Sequence, residues 1–584
     1  MSTQDRHDTP KLEPQTGAEA LLMALKSNGI EYLFANAGTD FPPIIEALCR
    51  LPAEAAPIPV TTPHETAAVA MAHGHYLVSG KPQSVMVHVN VGLANAVMGV
   101  LNAASDNVPM VVMSGRTPLT ETGRAGRRMT PIQYGQEMFD QTSLLREAVK
   151  FDYEMRYPEQ AGALVSRATA IAMSDPRGPT YLSLPREPLG DQIPIDSPAD
   201  LTPRQSAERA APSAHAISQA VALLAQAQRP MVICQRGDPE GRVAAALSEL
   251  GKTHGIGTVE PFVVRNVLAH DDPAALGFNP SLIRDADALL IVDSGVPWIE
   301  ATHAPAPDIP LIHIGSDPLF TRMPMRGYRS SLSIAADPAL TLSALSAALS
   351  PALSTALNAA PSTAGIATRK AELASKAAAR SMARQRSIDT AAQQDPMGAE
   401  YLSHCLSEIM DEDAVIFSEL GLVPAAMRLK GPNRLFSNPH SGGLGWALPA
   451  ALGAQLARPG KLTIAAMGDG SYIFANPVAC HQIAEALALP ILIIIKNNAM
   501  WNAVRRSVVN AYPGGSAAHA NRMPLTSLEP LPDFAAIASA SRAFAERVET
   551  PAALPQALAR ACAAIKTEGR SALLDVRVAP SDHH

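Results

Sequence analysis

Short apolar runs recur along the chain between longer stretches in which apolar positions return every three or four residues. That alternation predicts parallel strands separated by helices. The clearest unit is Thr463 to Trp501, TIAAMGDGSYIFANPVACHQIAEALALPILIIIKNNAMW. It reads as strand, tight glycine turn, helix and strand. Asn476-Pro477 is placed as N-cap and first helical residue, with the helix running to about Ala488. Pro490 to Lys496 is a continuous apolar run of the kind buried in a parallel sheet.

The same pattern begins upstream with a helix from Gly17 to Asn28 and the strand EYLFANAG, which ends in Gly38-Thr39-Asp40 before a helix at Pro42-Pro43. IPVTTPHE is a short strand carrying His64 and Glu65 at its C-terminal end, followed by the helix TAAVAMAHGHYL. QSVMVHVNV is read as a strand through Val91, leading past Gly92 into the helix LANAVMGVLNAASD, and PMVVMSGRT as another strand. The predicted fold class is α/β, with three doubly wound parallel-sheet domains. The first spans residues 12–190 and the second 205–351, and the Pro-rich stretch from Pro185 to Pro212 links them. An Ala-, Ser- and charge-rich connection with a helix covers 352–395, and the third domain covers 396–577.

Composition narrows the function classes. Of 584 residues, 47% are hydrophobic and 17% charged, as in a folded globular protein, and the net charge of −7 without a basic run argues against a nucleic-acid partner. The polar start MSTQDRHDTPKLEPQTG has no apolar core of a secretory signal, and no 18-residue uncharged apolar span predicts a membrane helix. Five scattered cysteines without a CxxC pair read as reduced thiols of a cytoplasmic protein.

The chemistry gathers where strands end. Gly468-Asp469-Gly470-Ser471 closes one strand and Asn497-Asn498 the next, so a carboxylate, an amide oxygen and glycine backbone meet at the sheet edge where ligands of open α/β sheets sit. Hard oxygens of this kind suit magnesium when phosphate oxygens and water complete its shell. Gly-Asp-Gly, then a helix, then a strand ending in Asn-Asn resembles the signature of thiamine diphosphate (ThDP) enzymes of the pyruvate decarboxylase and acetolactate synthase superfamily. The resemblance covers nearly the whole chain, in the family's order of pyrimidine-binding, middle and diphosphate-binding domains. It implies that Asp469, Asn498 and the carbonyl of Met500 hold Mg2+, with Gly468, Gly470 and Ser471 around the diphosphate. Asp469 and Asn498 lie slightly further apart than in the family, which implies a longer turn before the helix.

Glu65, in the context His64-Glu65-Thr66-Ala67-Ala68-Val69-Ala70-Met71-Ala72-His73-Gly74, resembles the family glutamate that bonds N1' of the aminopyrimidine. A carboxyl group partly buried beside a ring nitrogen shares its proton there. SGGLGWALPAALGAQLA, from Ser441, implies close backbone approach at Gly442 and Gly443 and a bulky wedge at Leu444, and is similar to the benzoylformate decarboxylase branch. In that branch the stretch HVNVGLANA carries an active-site histidine, here His88, and Thr39 falls at a substrate-binding serine. A histidine suits protonation steps near neutral pH; the alternative is a hydrogen-bonded strand-end histidine. His303 lies one residue out of register with a second catalytic histidine, and an ordinary structural role is preferred.

Arg116 is read either as a grip on a substrate carboxylate or as a surface ion pair. Trp298, Met500 and Trp501 are read either as lining an apolar substrate pocket or as core residues. Flavin (FAD) binding in the middle domain is left open without a motif to support it. The expectation is a ThDP- and Mg2+-dependent lyase or decarboxylase acting on a 2-oxo acid or acyloin. The alternatives are an acetolactate synthase-like carboligase and a catalytically silent subunit of the same fold, against which intact Glu65, Asp469 and Asn498 speak. The resemblance implies a homodimer or homotetramer with active sites at the subunit interface.

Overall fold

The computed structural model describes residues 12–350 and 363–580. This chain falls into two compact units that part between Ala207 and Glu208, with residues 74–80 counted with the second. Among the described residues the strands form three six-stranded sheets, and the pairings between those strands are parallel.

The first unit holds β1 (Tyr32–Asn36), β2 (Ile58–Thr61), β3 (Gln83–Val87), β4 (Met110–Arg116), β5 (Asp152–Glu154) and β6 (Thr180–Pro185) in the order β2-β1-β3-β4-β6-β5. Two sheets lie in the second unit. β7 (Pro230–Cys234), β8 (Gly257–Val259), β9 (Ala275–Gly277), β10 (Ala288–Val292), β11 (Leu311–Gly315) and β12 (Leu332–Ala335) run β12-β11-β10-β7-β8-β9, the dinucleotide-fold order read from its other edge. β13 (Val415–Glu419), β14 (Leu435–Ser437), β15 (Thr463–Gly468), β16 (Leu492–Asn497), β17 (Phe544–Val548) and β18 (Ala572–Arg577) run β14-β13-β15-β16-β18-β17. The first and third sheets therefore share one topology. In each, the strand order reverses between the first and third strands in sequence, which opens a crevice at their C-terminal ends.

Burial explains the unbroken apolar runs. Val232 and Cys234 of β7 belong to one core and Met231 and Ile233 to another, so that strand faces helices on both sides. In β16, Leu492 and Ile494 pack with Ile464, Ala466, Leu574 and Val576. All five cysteines are free thiols. Among the described residues no helix is long and apolar enough to cross a membrane.

Local structure departs from the sequence pattern at several points. The stretch after Pro185 is not a bare linker: Arg186–Gly190 is helical, Gln192 bridges Thr16, and Ser174 Oγ accepts a hydrogen bond from the Ala207 amide at 2.9 Å. Backbone bonding thus keeps the chain on the first unit to Ala207. β3 stops at Val87, and Val89-Asn90-Val91 form the first turn of the helix Val89–Ser105. After β15 a short helix, Asp469–Phe474, replaces the tight turn and buries Tyr472. Asn476 does precede the helix Pro477–Ala486, but in the left-handed region (φ 53°) and without a capping side-chain bond. Residues 352–362 of the expected connection lie outside the described residues. Thr363–Ala392 is one helix, fixed to the middle sheet's domain where Arg369 donates to the carbonyls of His254 and Ala227.

His481, on the helix Pro477–Ala486, is buried with Nε2 2.8 Å from the Tyr472 hydroxyl, and burial pushes its pKa down to about 4. An unfolded histidine takes its proton near pH 6.5, about the ordinary value. Between those values the unfolded chain binds a proton that the folded one refuses, so this contribution is complete above pH 6.5 and is lost as pH falls toward 4. His481→Gln is expected to flatten the fall in Tm between pH 7 and pH 5, measured by calorimetry. Parallel Tm profiles for variant and wild type would count against it.

Candidate functional site

In the third sheet Gly468 pairs with Lys496, which sets the end of β15 beside the Asn497-Asn498 corner. The Asp469 carboxylate joins the two: Oδ1 accepts from Gly470 N at 2.8 Å, and Oδ2 from Asn498 N at 3.1 Å and Ala499 N at 2.6 Å. Burial pushes its pKa up and the three backbone bonds pull it back. Asn498 Oδ1 accepts from Met500 N at 3.3 Å, and the Met500 carbonyl accepts from Asn502 N at 2.9 Å. A cavity of about 120 Å³ is lined by Gly468, Asp469, Ser471, Lys496, Asn498 and Met500. Trp501 lines it too and packs on Gly470, where a Cβ would stand 2.3 Å from the indole ring.

Among the described residues no three His, Cys, Asp or Glu side chains gather as a metal cage. The donor set nonetheless fits magnesium, which binds through one or two carboxylates and completes its shell with phosphates and water. Asp469 supplies the carboxylate, and the oxygens of Asn498 and Met500 each keep a second lone pair beyond the bond they accept. Lys496 lines the same cavity, and burial, helped by Arg506, pushes its pKa down to about 8.

Glu419, the last residue of β13, was not among the candidates from sequence. It is 1% exposed, and its Oε1 accepts from Gly445 N at 2.7 Å while Oε2 accepts from Trp446 N at 2.7 Å and Ala447 N at 2.9 Å. Burial pushes this carboxyl up and the backbone donors oppose it. The acid clamps the loop of Gly442 and Leu444 to the sheet ahead of the helix Ala447–Ala457. Gly442 itself is exposed, and Leu444 is half-buried. A charged residue closing the apolar run VIF was the available signal.

In the first unit Glu65 opens the helix Glu65–Ser79 and is buried. Its Oε1 accepts from the Asn36 amide at 2.9 Å, at the end of β1, and its Oε2 from the Asn95 amide at 3.1 Å, on the helix Val89–Ser105. At the neighbouring strand end, His88 Nδ1 lies 2.5 Å from Asp40 Oδ1, and Asp40 Oδ2 accepts from Val89 N at 3.1 Å. The Gln136 amide nitrogen stands 3.1 Å from His88 Nε2. The imidazole packs so closely on Gly38 that a Cβ there would fall 2.1 Å from Nδ1. Val89 is held at φ 31°, a strained conformation for a β-branched residue. The His88 side chain keeps 17% of its surface exposed, whereas Asp40 keeps 2%. Asn36, Asp40, Asn95 and Gln136 escaped the sequence reading because each acts through a partner far along the chain.

Three candidates take other places. Arg116, at the end of β4, donates to Glu137 Oε1 at 2.9 Å, to Glu154 and to the Met138 carbonyl at 2.8 Å. Its fork is filled by two partly exposed carboxylates, so the ion-pair reading describes it better than the substrate grip. Trp298 is core: it is 2% exposed, donates to Glu300 at 2.7 Å and meets Tyr328 edge-on at 4.9 Å. His303 ends a four-residue helix, with Nδ1 2.9 Å from the Thr302 hydroxyl and its ring 6.0 Å from Phe262. Thr39 is exposed between Gly38 and Asp40.

The chain matches the N-terminal TPP binding domain of thiamine pyrophosphate enzymes over residues 15–144 and the C-terminal TPP binding domain over residues 421–576. It is 25% identical to an acetolactate synthase large subunit of Parasynechococcus marenigrum over 553 residues, covering 90% of this chain and 82% of that one. It is also 25% identical to the benzoylformate decarboxylase of Pseudomonas aeruginosa over 506 residues, covering 82% and 85% respectively. A thiamine diphosphate-dependent 4-hydroxybenzoylformate decarboxylase of Rhodococcus jostii has the same fold, with a TM-score of 0.74 at 21% identity over 97% of this chain and 100% of that chain.

Glu419→Ala is expected to strand three buried N–H groups and to destabilise the protein by about 3 kcal/mol or more, at about 1 kcal/mol or more for each orphaned donor. Glu419→Gln keeps one acceptor oxygen and falls between the two in chemical denaturation. An alanine variant as stable as wild type would remove Glu419 from the clamp.

Proposed function

The chain belongs to the thiamine diphosphate-dependent enzyme superfamily, whose N- and C-terminal TPP-binding domains it carries, and on that premise we propose that it is a ThDP- and Mg2+-dependent lyase cleaving a carbon-carbon bond of a 2-oxo acid or acyloin. When bound, the cofactor supplies an electron sink for cleavage beside a carbonyl. In this reading Asp469, Asn498 and the Met500 carbonyl hold the metal, and Gly468, Gly470 and Ser471 surround the diphosphate. Gly442 and Leu444 sit on the loop that Glu419 clamps and contact the organic part of the cofactor. Glu65 holds or releases a proton at a carboxylate oxygen, and the amides of Asn36 and Asn95 keep both oxygens aimed.

The observation that carries decarboxylation is the His88 arrangement. Asp40 on Nδ1 fixes one tautomer, leaving Nε2 beside Gln136 as the atom that gives or takes a proton. Thr39 is the proposed substrate contact on the adjacent turn. A second reading, carboligation, is favoured by the synthase relative that aligns with 90% of the chain. We further propose a cytoplasmic homodimer or homotetramer, in which the diphosphate half of one subunit works with the Glu65 half of another. Incubating the protein with ThDP, Mg2+ and a panel of 2-oxo acids and acyloins, and reading both CO2 and aldehyde, separates the two readings: acyloin products without free aldehyde would favour the synthase.

Glu65→Gln is expected to bind ThDP and lose most turnover, because an amide cannot share the proton. Exchange of the cofactor's C2 proton at the wild-type rate, followed by NMR, would refute the role. His88→Ala is expected to lower kcat and kcat/KM together by about 100-fold with ThDP affinity little changed, as for a lost acid-base group. A stable variant with wild-type kcat on its best substrate would end the histidine argument.

A further inference from the structure

Lys496 is the one charged residue in β16, Leu492–Asn497, a strand otherwise made of leucine, isoleucine and a terminal asparagine. Side chains alternate along a strand, so Lys496 shares the face of Leu492 and Ile494, which is packed core. Only at the strand's last residues does that face open into the cavity, and there Lys496 lines the wall with Asp469, Ser471, Asn498 and Arg506. Its register partner is Gly468, which puts no side chain between the ammonium and the cavity. The charged groups around it are Arg506, which repels it, and Asp469 and Glu400, which attract it. Asp469 already accepts three backbone bonds. Lys496 and Arg506 thus put two cationic side chains on the wall of a cavity whose lining holds one carboxylate, Asp469.

We infer that Lys496 binds the diphosphate of the cofactor directly, sharing the anion's charge with the magnesium held by Asp469 and Asn498. This rests on the proposed reading of the cavity as the diphosphate site. A lysine is a point charge with three donors on a flexible stem, suited to phosphate oxygens that also face a metal. Thiamine without phosphates would gain nothing from it.

The test is titration calorimetry of the intact protein with ThDP and with unphosphorylated thiamine, at saturating Mg2+, in wild type, Lys496→Met and Lys496→Arg. The methionine keeps an unbranched apolar stem and removes the charge. It is expected to weaken ThDP at least tenfold, leave thiamine unchanged and so compress the preference for the diphosphate, while arginine restores most of it. Equal ThDP affinity in the methionine variant overturns the inference while leaving the cavity's assignment intact. Failure of wild type to bind ThDP, or undiminished binding in Asp469→Ala, overturns that assignment and the inference with it. A measurement on the unmutated protein stands beside these. Bound ThDP is expected to suppress acetylation of Lys496 by an N-hydroxysuccinimide ester, read by peptide mass spectrometry. Equal labelling with and without ThDP counts against contact.

Discussion

A buried carboxylate needs donors, and at three strand ends of this protein backbone N–H groups provide them. An uncompensated buried charge costs several kcal/mol, whereas a hydrogen bond to a charged group returns about 1.5–3 kcal/mol. Asp469, with three backbone donors, is therefore stable only when the Asn498 corner is folded against the end of β15. Glu419 imposes the same condition on the loop from Gly442 to Ala447. Asp40 imposes it on the start of the helix at Val89, with the His88 ring as second partner. The site's geometry is thereby tied to folding itself, with the same groups that satisfy the acids positioning the loops.

These acids recur where the topology calls for them. The first and third sheets share a strand order, and in both the crevice opens between their first and third strands in sequence. Glu419 is the last residue of β13, and Asp469 follows the end of β15. On the first sheet, Asn36 closes β1, Asp40 follows it, and His88 follows β3. One architecture thus carries two sets of groups: carboxylate and amide oxygens beside a cavity in one sheet, and a glutamate and a histidine with fixed partners in the other.

The α/β class was legible because parallel strands covered on both faces are unbroken apolar words such as PMVIC and LIIIK. The strand ends were legible through glycine, asparagine and acidic residues that punctuate them, which is how Glu65, Asp469 and Asn498 could be singled out. What failed was decided by distant partners. Arg116 had two readings, and Glu137 and Glu154 in its fork favour the ion pair; Trp298 likewise had two, and its burial against Tyr328 makes it core. Val89-Asn90-Val91 alternates like a strand, yet a carboxylate 49 residues upstream accepts the Val89 amide and starts a helix there.

That last misreading bears on function. A β-branched residue at φ 31° is held in a conformation costing about 1–3 kcal/mol, and the surrounding contacts must supply it. The Asp40 bond to the Val89 amide does so, and it leaves the other carboxylate oxygen facing His88 Nδ1. Gly38 closes the opposite side of the ring. The imidazole is consequently held by these contacts, with the Gln136 amide nitrogen at Nε2. In its proposed role His88 gains from such rigidity, because its orientation does not have to be found again in each turnover. The acid-base role proposed for His88 thus gives the strain at Val89 a counterpart in chemistry.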